Sequence, residues 1–103
     1  MTTTESVAKL LLQSTGVTAV NAFWCGGRDD AREYRMTVTK RDKEWVFSMD
    51  TQDSDVDLRG RTIYYKWVTV HDRVVLSFGA LISLIEEQLE SAEIVTVNGE
   101  DIV

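Results

Sequence analysis

Arg32-Glu33-Tyr34-Arg35-Met36-Thr37-Val38-Thr39-Lys40-Arg41-Asp42-Lys43-Glu44-Trp45-Val46-Phe47-Ser48-Met49 is the stretch that decides the fold. From Arg32 to Thr39 the residues alternate, with Tyr34, Met36 and Val38 on one side and Glu33, Arg35, Thr37 and Thr39 on the other. Successive side chains of an extended backbone point to opposite faces, so this run predicts a strand with one dry and one wet face. Lys40-Arg41-Asp42-Lys43 reads as a polar turn. Glu44 to Met49 then alternates again, with Trp45, Phe47 and Met49 together. The two runs predict an antiparallel hairpin.

Working outward, Val17 to Cys25 is rich in β-branched and aromatic residues and reads as a well-buried strand ended by Gly26-Gly27. Before it, Thr2 with Glu5 forms a capping box. Val7, Ala8, Leu10, Leu11 and Leu12 make an apolar helical stripe, and Gly16 suits a left-handed helix stop. After the hairpin, Asp50 to Gly60 reads as a polar loop and Thr62 to Val70 as an aromatic strand. His71-Asp72 either turns the chain into a short strand, Arg73 to Leu76, or lies within one continuous strand. Phe78, Leu81, Ile82, Ile85 and Leu89 predict an amphipathic helix from about Phe78 to Ser91, with Ser77 as its N-cap. Asn98-Gly99 between apolar runs predicts a terminal type I′ hairpin. The expectation is a single α+β domain over residues 1–103. It has a mostly antiparallel sheet of four to six strands, an N-terminal helix and a second helix near the C-terminus. The expected core is Leu11, Val20, Phe23, Met36, Val38, Trp45, Phe47, Trp67, Leu81, Ile85 and Leu89.

With 103 residues, 44% hydrophobic and 27% charged, the chain is long enough to build a core without disulfides or metal. No apolar run reaches the length of a membrane span. Met1-Thr2-Thr3-Thr4-Glu5 shows no signal-peptide pattern, and Cys25 is the single cysteine. The expectation is a cytoplasmic protein. Six of the 17 acids and none of the 11 Lys and Arg lie beyond Arg73, so residues 1–73 are neutral and the whole −6 belongs to the C-terminal part.

The chemistry-bearing residues form no catalytic set. Cys25 and His71 are far apart in sequence, and nothing places them together. Asp53-x-Asp55-x-Asp57 begins like a calcium loop, but Leu58 stands where the loop needs glycine and Tyr64 where it needs glutamate. No glycine-rich phosphate cradle is present. No cofactor, metal or enzymatic activity is expected.

Two binding readings remain. Glu86, Glu87 and Glu90 crowd the C-terminal half of the second helix, where the macrodipole favours cations, and Glu93 follows. Tyr64 and Tyr65 are adjacent in a strand and must point to opposite faces. Together Glu86, Glu87, Glu90, Glu93, Tyr64 and Tyr65 suggest a docking surface for a protein partner. The chain would then be a small inhibitor or adaptor of phage or mobile-element type, or form a homodimer joined through the sheet; a further alternative is a small structural subunit that functions only in its own oligomer. The alternative is a nucleic-acid binder that uses the basic hairpin residues Arg28, Arg32, Arg35, Lys40, Arg41 and Lys43. A pI near 4.6 and the acids interleaved in that hairpin make nucleic acid the weaker expectation.

Overall fold

The computed structural model describes residues 2–25, 31–56, 58–60 and 62–102. In chain order the elements are α1 (Thr3–Gln13), β1 (Val17–Cys25), β2 (Ala31–Arg41), β3 (Glu44–Val56), β4 (Thr62–Leu76), α2 (Phe78–Ser91), β5 (Ile94–Val97) and β6 (Glu100–Asp101). The six strands form one sheet in the order β4-β3-β2-β1-β5-β6, every pair antiparallel. This is the α+β architecture that the sequence predicts.

The register explains which face is dry. Val20 pairs with Met36 and with Val97, Met36 with Met49, and Val38 with Phe47. The apolar positions of neighbouring strands therefore line up in rows on one side of the sheet. Val7 and Leu11 of α1 and Leu81, Ile85 and Leu89 of α2 are fully buried in the same cluster. Both helices thus cover the same face. Trp45 meets Phe78 across the helix–sheet layer at a ring separation of 5.1 Å.

The helix starts follow the sequence. The Thr2 hydroxyl accepts from the Glu5 N–H at 3.1 Å and the Ser77 hydroxyl from the Ala80 N–H at 3.3 Å. Each satisfies one of the orphan donors of a first turn. Asn98 and Gly99 adopt φ values of 50° and 84°, as a type I′ turn requires. Asn98 also anchors that turn to β1, its side-chain carbonyl accepting from the Ala19 N–H at 2.9 Å.

Several expectations are corrected. The polar segment after Met49 is not a loop: β3 continues to Val56 and pairs with β4 through Asp53↔Lys66 and Asp55↔Ile63. Backbone pairing to a long neighbour outweighs the low strand propensity of the aspartates. Lys40 and Arg41 belong to β2, and the turn is the two residues Asp42-Lys43, with Asp42 at φ 47°. α1 ends without a left-handed residue, because Ser14 leaves the helix in an extended conformation while its N–H donates to the Leu11 carbonyl. Phe23 and Trp67 do not join the core. Phe23 pairs with Ile94, and Trp67 with Gln52, on the side away from the helices.

β4 is one continuous edge strand, but its register slips three times against β3. Phe47 pairs with Val74 and Met49 with His71, so Ser48 alone faces Asp72 and Arg73. This is a bulge, with the extra residue on β4. It turns His71 to the dry side, where its ring lies 5.8 Å from Phe47, instead of leaving it in an exposed turn.

Candidate binding face

The side of the sheet that the helices leave uncovered carries the surface with the most chemistry. Odd-numbered residues of β1 and β2 point there, with even-numbered residues of β3. At one end Glu33 accepts from the Asn21 amide at 2.9 Å and pairs with the Arg35 guanidinium at 3.4 Å. That guanidinium lies over Trp67, its Cζ 3.9 Å from the ring centroid. The geometry is that of a cation–π contact. Phe23 is half-buried nearby in sequence register, and Ile94 beside it is exposed.

Towards the β2–β3 turn the same face sinks into an open depression of about 260 Å³ lined by Thr37, Thr39, Arg41, Val46, Ser48 and Arg73. Val46 forms its apolar floor at 9% exposure. Arg73 has a φ of 52°, a conformation that side-chain-bearing residues seldom adopt. Its N–H leaves the ladder and donates to the Ser48 hydroxyl at 2.9 Å. Among the described residues neither Arg41 nor Arg73 has an ion-pair partner. The Thr37 and Thr39 hydroxyls are likewise uncommitted there.

The six basic residues of the predicted nucleic-acid set do not come together. Arg35 and Arg41 lie on the uncovered face. Lys40 sits on the other side, its ammonium 5.5 Å from the Trp45 ring centroid. Arg32 is on that side too, 5.4 Å from the Tyr34 ring and donating through Nε to the Gln52 carbonyl at 3.0 Å. Lys43 is exposed in the turn, and Arg28 lies outside the described residues. β-strand alternation divides the set between two faces. Arg73, which sequence position sets apart from the hairpin, joins Arg41 only through the β3–β4 pairing.

The acidic helix also divides. The start of α1 lies beside the end of α2, and Glu90 accepts from the Thr4 hydroxyl at 2.6 Å and from the Thr4 N–H at 3.0 Å. The hydroxyl, then the N–H, hold the Glu90 carboxyl below its ordinary 4.5. Glu90 thereby serves the positive end of α1 and relieves the repulsion expected at its own helix end. All four of Glu86, Glu87, Glu90 and Glu93 are exposed, and Glu90 differs in being tied to Thr4. The side chains of Tyr64 and Tyr65 lie outside the described residues.

Cys25 and His71 stay apart. His71 shares a row with Met49, Met36 and Val20, while Cys25 is further along β1 and three strands away, a backbone separation of roughly 20 Å from strand spacings. Among the described residues no three His, Cys, Asp or Glu are grouped to hold a metal, and no helix is long and apolar enough to cross a membrane. Comparison with protein-family models, curated proteins and solved structures gives no match.

Proposed function

We propose that the chain is a non-enzymatic protein-binding module, of the inhibitor or adaptor kind, that presents its uncovered sheet face to a larger partner. The observation that supports this reading is the one-sided layering. Both helices cover one face, and the other keeps Trp67, Phe23 and Ile94 among hydrogen-bonding and charged side chains. An aromatic already braced by an arginine loses little rotamer freedom on contact, as binding hot spots favour. The acidic end contributes Glu86 and Glu87 of α2 and Glu93 beyond it at most, because Glu90 is tied to Thr4.

The test compares three forms of the tagged protein in pull-downs from nuclease-treated source-cell lysate: unaltered, Trp67→Ala with Arg35→Ala, and Glu86→Gln with Glu87→Gln. The sheet-face variant should lose a stoichiometric protein partner that the helix variant keeps. Retention by the sheet-face variant and loss by the helix variant would transfer the contact to α2. Partners that vanish with nuclease treatment would replace the reading by nucleic-acid binding.

A further inference from the structure

The depression on the uncovered face has a chemistry of its own. Every polar side chain that lines it can donate: two guanidiniums and three hydroxyls, with no carboxylate among them. Ser48 already accepts from the Arg73 N–H, so its hydroxyl proton is left to donate outward. Thr37 and Thr39, two residues apart on β2, present hydroxyls on the same side. Glu44 and Asp50 flank the depression along β3 but do not line it.

The backbone points to the same place. Three non-glycine residues have positive φ among those described: Asp42, Asn98 and Arg73. Asp42 and Asn98 occupy two-residue hairpin turns, which require that conformation. Arg73 is not in a turn: it lies inside β4, at the bulge opposite Ser48, where a side-chain-bearing residue takes on a conformation that glycine usually fills. Held there, it lines the depression with Arg41, although fifteen-residue β4 and the turn end of β2 are separated by the whole width of β3. Strain of this kind collects at ligand sites in proteins, and here it coincides with a cluster of uncommitted donors.

We propose that Arg41, Arg73, Thr37, Thr39 and Ser48 form a receptor for a phosphate monoester, presented as a phosphorylated side chain of the protein partner. Two guanidiniums match a group carrying close to two negative charges and three acceptor oxygens. A phosphodiester strand offers a single charge per unit and would bring a polyanion against Glu44, Asp50 and a chain of net charge −6. The source of the phosphoryl group rests on the protein-binding reading; the anion site itself does not.

The test is titration of the isotope-labelled full-length protein with inorganic phosphate, O-phosphoserine and a short oligothymidylate, followed by amide NMR shifts. Saturable shifts centred on Thr37, Thr39, Ser48 and Arg73, with O-phosphoserine at least equal to phosphate, support the proposal. Arg41→Gln and Arg73→Gly should each weaken binding about tenfold, the worth of one charged hydrogen-bonding partner. Lys9→Gln, exposed on α1 and outside the depression, should leave it unchanged. Retained spectral dispersion shows that each variant is folded. No saturable shift at these residues overturns the site, whatever the pull-down finds. Equal weakening in all three variants reduces it to a general charge effect and also overturns it. Oligothymidylate binding more tightly than O-phosphoserine overturns the monoester assignment.

Discussion

Arg73→Gly and Arg73→Ala, made side by side, test the backbone conformation on which the depression depends. Both substitutions remove the guanidinium and its alkyl chain, so lost packing cancels in their difference. What remains is the cost of φ 52°. A residue with a Cβ in the left-handed region bears about 1–2 kcal/mol that glycine does not. Glycine in turn loses more backbone freedom on folding, by roughly 0.5–1 kcal/mol relative to alanine. The balance favours glycine by about 0.5–1 kcal/mol. For a domain of this length that is a melting temperature higher by about 4 °C. Thermal unfolding followed by circular dichroism in one buffer reads the difference directly. If Arg73→Ala melts at or above Arg73→Gly, Arg73 is not held at positive φ. The bulge that aims it over Ser48 is then wrong, and the receptor loses its second arginine.

Glu90→Gln should flatten part of the acid limb of stability. A carboxyl held below its ordinary 4.5 stabilises the fold above that value and loses the contribution as pH falls through the lowered one. Urea midpoints of wild type and variant should therefore converge below pH 4.5, and parallel curves would show that Thr4 does not bind the carboxylate preferentially. Phe47→Ala removes a fully buried ring from β3 and should cost about 3–5 kcal/mol by urea unfolding. A loss nearer that of a surface site would remove Phe47 from the core. Gly99→Ala at φ 84° should cost about 1 kcal/mol in the same assay, and a neutral result would deny the left-handed terminal turn.

The hairpin at Arg32–Met49 was legible because a strand with one wet face writes its burial into alternation, and the helices because their caps and apolar stripes agree. β1 was harder. Val17, Ala19 and Phe23 are apolar yet lie on the uncovered side, so the strand looks buried on both faces when it is buried on one. Alternation along the aromatic strand puts Trp67 in the core, whereas its pairing with Gln52 places it under Arg35. The Asp53 and Asp55 positions were read from composition, but the pairing to β4 decides their conformation. The depression could not be read at all. Thr37, Thr39 and Arg41 share a face by parity, a signal present in the sequence, but a bulge has no periodicity, and Arg73 reaches them only through one.

That bulge has a second consequence for how the chain meets a partner. β4 is fifteen residues long and lies at the sheet edge, where an unpaired row of donors and acceptors invites another strand. Its three register shifts interrupt that row, and Lys66, Asp72 and Arg73 put charges along it. Both devices oppose edge-to-edge addition of a second copy. At the other edge β6 has only two residues, too few to template a strand. A homodimer joined through this sheet would therefore have to stack face on face. It would then place Arg41 and Arg73 of one copy against a face whose carboxylates, Glu33, Glu44 and Asp50, lie outside the depression. A partner that brings negative charge into the depression itself meets both arginines at once, a complementarity that a second copy supplies only from its flanks.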